Sequence, residues 1–263
     1  MVKAARRASQ IINRAAQDIE HLKITPKKHN NDFVTEVDKA AEAAIIEVLR
    51  EAYPDYGILA EESGLSGASE GGSDYQWVID PLDGTTNYIH GFPQYAVSIA
   101  LTYKGQPNQA VVYDVVRNEM FTASKGGGAY LNERRIRVTK CDRMEQALIG
   151  TGFPFRDFEN VDAYLGIFKE FAKRTAGIRR PGSAALDLAY VACGRFDGFW
   201  EFGLMPWDIA AGCLLISEAG GLVSDLAGGD NQLKTGNMIA GTPKIFSQML
   251  QVIDSYRTPT LQA

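Results

Sequence analysis

The stretch Trp77-Val78-Ile79-Asp80-Pro81-Leu82-Asp83-Gly84-Thr85-Thr86-Asn87-Tyr88-Ile89-His90-Gly91-Phe92-Pro93 decides how the chain is organised. Trp77, Val78 and Ile79 form an apolar run of strand character that delivers Asp80 to a break at Pro81, and Asp83, Gly84, Thr85 and Thr86 then make a polar turn. Two carboxylates three residues apart therefore stand at the exit of a buried strand. Repulsion and desolvation disfavour that arrangement unless a cation offsets both, and a divalent metal ion is the natural partner. An Asp-Gly turn between strands accounts for Asp83 and Gly84 but leaves Asp80, the paired threonines and the aromatic framing without a reason. On the metal reading, Asp80 would bridge two ions, the Leu82 carbonyl and Asp83 would each ligate one, and the amides of Gly84 and Thr85, opening a short helix, would hold a phosphate.

Around this stretch lies an ordinary globular composition: 263 residues, 45% hydrophobic and 22% charged, enough for one large core or two closely joined halves. No apolar run approaches the roughly 20 residues of a membrane helix, and Met1 to Arg14 is amphipathic without a signal-peptide core. A cytoplasmic location is expected. The three cysteines, Cys141, Cys193 and Cys213, form no Cys-x-x-Cys pair, so buried free thiols are expected rather than a zinc site or a disulfide framework. A net charge of -5 gives no overall attraction to nucleic acid, although Arg134, Arg135 and Arg137, and Arg179 with Arg180, are local basic clusters.

Upstream, Ala5, Ala8, Ile11, Ile12, Ala15, Ala16, Ile19 and Leu22 make a helical stripe over about Val2 to Leu22, followed by a polar loop, Thr25 to Asp32. Thr35 fits the N-cap of a second helix running to Tyr53-Pro54, with Asp38 at the capping-box position, a role sufficient to account for Asp38. A short strand, Tyr56 to Ala60, delivers Glu61, Glu62 and Ser63 to the edge of a Gly/Ser-rich loop, Gly64 to Asp74. Downstream, Tyr95 to Tyr103, Gln109 to Val116 and Glu119 to Ser124 read as an antiparallel meander. From Ala147 strands alternate with helices, which predicts layered α/β packing in two fused halves with a seam near residues 140 to 150.

Several chemistries are excluded by spacing. An EF-hand requires acidic or amide residues at alternate positions and a Glu at the twelfth, where this chain has Gly91. Nucleophilic-aspartate phosphatases carry Asp-x-Asp-Gly-Thr, one residue shorter than Asp80 to Asp83. Gly126-Gly127-Gly128 lacks the lysine and hydroxyl residue of a nucleotide loop. A further acidic position is Asp208, in Pro206-Trp207-Asp208-Ile209-Ala210-Ala211-Gly212. There an aspartate in a helix first turn offsets the dipole, but the almost wholly apolar run that follows buries the helix and turns its early Asp toward a site.

Together these motifs, with Asp32-Phe33-Val34-Thr35, Ala60-Glu61-Glu62-Ser63 and Gly182-Ser183-Ala184, resemble the inositol monophosphatases over essentially the whole chain, most closely the bacterial SuhB-type members. The resemblance implies an α/β fold in α+β layers, an alternating α-β-α-β-α sandwich of the inositol monophosphatase and fructose-bisphosphatase type. Residues 1–145 would carry most metal ligands, and 146–263 the substrate pocket and Asp208, in one compact unit. It places metal ligands on Glu61, Asp80, the Leu82 carbonyl, Asp83 and Asp208, holding two or three Mg2+ per site. Glu61, Thr85 and Asp38 would be the catalytic, water-activating residues. Gly84 and Thr85 would contact phosphate, while Gly182, Ser183, Ala184, Glu201 and Asp208 would complete the substrate site. Ala60 and Tyr88 depart from the Gly and Phe common at those positions, and neither removes a ligand. The implied activity is Mg2+-dependent hydrolysis of inositol monophosphate by direct attack of water, sensitive to lithium, in a homodimer. Related phosphatases act on nucleotide bisphosphates, fructose bisphosphate or histidinol phosphate. SuhB-type members also act with transcription antitermination factors and RNA polymerase on ribosomal RNA operons, which makes a regulatory partner the second expectation.

Overall fold

The computed structural model describes residues 1–21, 24–26, 33–67, 73–154, 158–258 and 261. Most of the polar loop expected after the first helix, the Leu22 end of that helix, and residues 68–72 of the Gly/Ser-rich loop lie outside them. Helices α1 (Val2–Ala15) and α2 (Glu36–Ala52) form the first layer, and a tight 3-10 segment, Ala16–His21, ends the first helical run. The long stripe expected to Leu22 is thus broken, with Asp18 at φ -140° and ψ 50° departing from helical geometry. A small hairpin, β1 (Ile24–Pro26) with β2 (Phe33–Thr35), leads into α2.

The second layer is an eight-stranded sheet. Its strands are β3 (Gly57–Ala60), β4 (Gly64–Ser66), β5 (Tyr75–Asp83), β6 (Ala96–Tyr103), β7 (Gln106–Asp114), β8 (Glu119–Ser124), β9 (Gly128–Leu131) and β10 (Arg134–Arg135). They are ordered β10-β9-β8-β7-β6-β5-β3-β4. The meander is present and extends through β9 and β10. Gly64 to Ser66, expected as loop, pairs with β3 instead. Helix α3 (Thr85–Ile89) sits between β5 and β6. The five-stranded sheet contains β11 (Leu148–Thr151), β12 (Gly177–Arg179), β13 (Gly198–Glu201), β14 (Leu222–Ser224) and β15 (Met238–Gly241), in the order β12-β11-β13-β15-β14. Between and beyond these strands come α4 (Val161–Arg174), α5 (Ala184–Ala192), α6 (Pro206–Glu218), α7 (Gln232–Thr235) and α8 (Pro243–Asp254).

Three apolar cores show how the layers stack. One joins α1 and α2 to one face of the large sheet, through Ile12, Ile45, Trp77 and Ile79. The second packs α5 and α6 between the sheets, and the third packs α4 and α8 on the far face of the small sheet around Trp200 and Phe171. The order is therefore α-β-α-β-α. The alternating pattern made α2 and α4 legible, whereas α5 and α6 are apolar on every side because both of their faces are covered. Tyr88 is fully buried, and its hydroxyl donates to the Ile12 carbonyl of α1 at 3.0 Å, which satisfies the polar atom a Phe would not bring. Of the cysteines only Cys213 is buried, its thiol pushed up to about 12 by desolvation; Cys141 and Cys193 are partly exposed, which corrects the expectation for those two. No helix among the described residues is long and apolar enough to cross a membrane.

Candidate active site

Two strands that end side by side begin the site. β3 and β5 run parallel with Ala60 opposite Ile79, and the Glu61 N–H donates to the Ile79 carbonyl at 3.1 Å. The next residues, Glu61 and Asp80, are thereby brought together and share a side-chain hydrogen bond. β5 does not stop at Pro81, as the sequence suggests, but continues to Asp83 through an irregularity. Asp80 pairs with Ser98 and Asp83 with Ala96, so β5 carries one extra residue. That parity change matters, because residues three apart in a regular strand face opposite sides, and a bulge lets both aspartates reach one side. Pro81 is tolerated there because β3 has already ended and no partner needs its missing N–H.

The third carboxylate comes from far along the chain. Asp208 lies in the first turn of α6, where its Oδ2 accepts the Met205 N–H at 2.7 Å. Single carboxylate oxygens of Asp80, Asp83 and Asp208 lie within 4.8 Å of one another. Asp83 is anchored to α5, since its Oδ2 accepts the Ser183 hydroxyl at 2.5 Å and the Ala185 N–H at 2.8 Å. Next to it, Gly84 adopts φ +94°, and a Cβ there would stand 2.8 Å from the Gln94 carbonyl oxygen, so glycine is required on both counts.

The Thr85 hydroxyl lies 2.9 Å from Asp38 Oδ1 and 3.0 Å from the Leu82 carbonyl. Asp38 is fully buried, and its Oδ2 accepts both the Thr35 N–H at 2.8 Å and the Thr35 hydroxyl at 2.5 Å. The capping box is therefore real and, with its other oxygen, the same carboxylate reaches Thr85. A cavity of about 620 Å³ opens in front of these groups. Glu61, Asp80, Leu82, Asp83, Gly84, Thr85, Gly182, Ser183, Ala184, Glu201 and Asp208 line it, while Asp38 stands behind Thr85 and outside the wall. Glu201, at the end of β13, passes so close to Gly152 that a Cβ on that residue would lie 1.8 Å from its Oε1.

Burial among like charges shapes the electrostatics. Asp80 is raised well above the ordinary carboxylate value by desolvation first and then by Glu61, Asp83 and Asp208. Asp83 is pushed up to about 6 by burial, against the opposing hydrogen bonds from Ser183 and Ala185. Desolvation also raises Asp38, opposed by its bonds to Thr35 and Thr85. Each such shift means that the ionised form lacks compensation within the protein.

Sequence reasoning missed three residues at the cavity. Asp187 in α5 is 1% exposed, its Oδ1 has no hydrogen-bond partner among the described residues, and burial followed by the charges of Glu201 and Asp83 raises it well above its usual range. Its signal was present, an acid inside an otherwise apolar helix. The Asn87 amide nitrogen lies 2.7, 2.9 and 3.2 Å from the carbonyl oxygens of Gln94, Pro181 and Gly182, tying the turn after β5 to the loop before α5. Arg180 brings positive charge to the wall beside Asp187.

This fold and this acidic cavity fit a chain whose residues 1–257 match the model of the inositol monophosphatase family, and the chain belongs to that family. Within it, the chain is 53% identical over 263 residues to Nus factor SuhB of Pseudomonas aeruginosa, covering 99% of this chain and 97% of that protein. The crystal structure of extragenic suppressor protein suhB from Bartonella henselae superposes with a TM-score of 0.92 at 41% identity, covering 96% of each chain. An IMPase/NADP phosphatase solved with Mg2+ and phosphate superposes at 0.79, with 27% identity and coverage of 92% of this chain and 90% of its own.

Proposed function

We propose that the protein is a phosphoric monoester hydrolase that uses Mg2+ to hydrolyse inositol monophosphate. The observation that carries this reading is the buried group Asp80, Asp83 and Asp208. Three carboxylates so close, two of them with raised pKa values, are destabilising alone and suit a divalent cation. The donor set is all oxygen, and no Cys or His is among the described residues lining the cavity, which favours Mg2+ over zinc. Glu61, Asp80, the Leu82 carbonyl, Asp83 and Asp208 would hold two or three ions. Bound there, the ions would lower the pKa of a water and neutralise charge on the phosphate and the leaving oxygen.

The remaining roles belong to side chains and amides. Thr85 donates its hydroxyl hydrogen to Asp38 Oδ1, which frees its oxygen lone pairs to accept from an attacking water. Asp38 is fixed for this because Thr35 occupies its other oxygen. Glu61, in the wall of the same pocket, orients the water for in-line attack. The N–H groups of Gly84 and Thr85, at the start of α3 in the cavity wall, receive phosphate oxygens. Gly182, Ser183, Ala184 and Glu201 form the wall for the sugar alcohol. The roles assigned leave no side chain as nucleophile, so water attacks phosphorus directly and no phosphorylated residue forms. Cytoplasmic location, a homodimer, lithium inhibition and a division at residue 145 belong to the same reading.

Purified protein assayed with Mg2+ against inositol 1-phosphate, adenosine bisphosphate, fructose bisphosphate and histidinol phosphate tests the substrate. The highest kcat/KM is expected for inositol 1-phosphate, and a higher value for adenosine bisphosphate would overturn that choice. A second reading is favoured by the name Nus factor carried by the Pseudomonas relative: a regulatory role with transcription antitermination factors and RNA polymerase. Asp83→Asn separates the two, since it should abolish hydrolysis and leave partner binding intact.

A further inference from the structure

Helix α2 carries two buried acidic side chains one turn apart, Asp38 and Glu42. Residues four apart on a helix share a face. Asp38 is used by Thr85, as described above. Glu42 is 3% exposed and does not line the cavity, yet both of its carboxylate oxygens are engaged. Its Oε2 accepts the Glu62 N–H at 2.8 Å, and its Oε1 accepts the Ser63 N–H at 2.9 Å.

Those two N–H groups belong to the residues immediately after Glu61. This turn lies between the end of β3 at Ala60 and the start of β4 at Gly64, outside the paired residues of both strands. With the Glu61 N–H bound to Ile79, three successive backbone donors are fixed, the first by the sheet and the next two by Glu42. A carboxylate accepting two backbone N–H groups makes charge-assisted bonds, stronger than neutral ones. One rigid helix therefore sets both halves of the water-orienting group: Asp38 places Thr85, and Glu42 places the backbone from which Glu61 projects.

We propose that Glu42 is a positioning residue for Glu61, holding the backbone from which it projects so that its carboxylate stays beside Asp80 for divalent-ion binding. This rests on the reading of Glu61 as a metal ligand. Partners behind a ligand typically change metal affinity on the order of 10-fold to 100-fold when removed. The test compares wild type, Glu42→Gln, Glu42→Ala and Glu61→Gln by calorimetric titration with Mg2+, by melting of the metal-free proteins, and by hydrolysis across Mg2+ concentrations. Gln keeps the volume and one acceptor, which preserves the fold should Ala lose it.

Glu42→Gln is expected to bind Mg2+ about 10-fold more weakly. Its hydrolysis should recover as Mg2+ is raised, with the substrate KM at saturating Mg2+ unchanged. If Glu61→Gln weakens Mg2+ binding while Glu42→Gln binds as wild type and only melts lower, Glu42 is a structural residue and this inference is overturned. If Glu61→Gln itself binds Mg2+ normally, or the wild type binds none, the ligand reading of Glu61 fails and the inference falls with it.

Discussion

Asp38 and Asp187 are buried acids that differ in what satisfies them, and substitutions around each should separate accordingly. Asp38 has both oxygens committed within the protein, and the oxygen facing Thr85 depends on the hydroxyl there. Thr85→Ala should lower kcat by roughly 100-fold or more, the scale of a lost proton-transfer partner. Thr85→Ser, which keeps the hydroxyl, should retain activity within about 10-fold of wild type on that same scale; steady-state kinetics on the two variants decides the matter. Asp187 has an oxygen without a hydrogen-bond partner among the described residues, and a raised pKa. A raised carboxyl is favoured neutral, and its ionisation at rising pH destabilises the native state. Asp187→Asn should therefore melt at or above the wild-type temperature, with the difference growing as pH rises above the ordinary carboxylate range. A lower melting temperature throughout that rise would mean that the carboxyl has a role the structure does not show.

At the scale of elements, α2 is the most exacting part of the site. Thr35 accepts the Val37 and Asp38 N–H groups with its hydroxyl oxygen while donating to Asp38, so the helix start and the bond from Thr85 to Asp38 are one structure. Thr35→Ala should cost about 1 kcal/mol through the lost cap, seen as a melting temperature lower by a few degrees, and kcat should fall more than KM rises. The cap was legible because Thr35, Asp38 and the apolar stripe after them form a local signal. The line of β5 was less so. Pro81 reads as a strand end, and only the long-range pairing of Asp83 with Ala96 shows that the strand continues through a bulge. Likewise Gly64 to Ser66 is poor in strand formers, and its pairing with β3 is imposed by the neighbour rather than by its own residues. Asp80 and Asp83 were found because two carboxylates beside a Gly-Thr turn are conspicuous, whereas Asp187 stands alone in its helix and gains meaning only from the cavity it faces.

For the whole molecule the acidic site ties stability to pH. An aspartate in an unfolded chain titrates near 3.9, whereas Asp80, Asp83 and Asp187 are all raised in the folded protein, Asp83 to about 6. Between these values the native state holds more protons than the unfolded one, so stability falls as pH rises through this window. Glu119 has the opposite sign: Arg195 holds its carboxyl low, and its contribution is lost only as pH falls below the ordinary glutamate range. Metal-free protein should accordingly melt higher at pH 5.5 than at pH 7.5. Adding Mg2+ at pH 7.5 should raise the melting temperature and close that gap, because a ligand that binds only the folded state stabilises it by mass action. Thermal melts at both pH values, with chelator and with Mg2+, measure this directly, and a metal-free protein more stable at pH 7.5 would contradict it.

The bond from Ser183 to Asp83 spans 100 residues of chain and carries a consequence for biosynthesis. A ribosome that has released β5 has already made Glu61, Asp80 and Asp83, but the helix that anchors Asp83 and the aspartate that closes the group, Asp208, are still to be translated. At that stage the growing chain has only two of the three clustered aspartates. On the proposed Mg2+ reading, ion capture would be a late event, following the docking of α5 and α6 against the large sheet, and would lock a polypeptide whose layers have already come together.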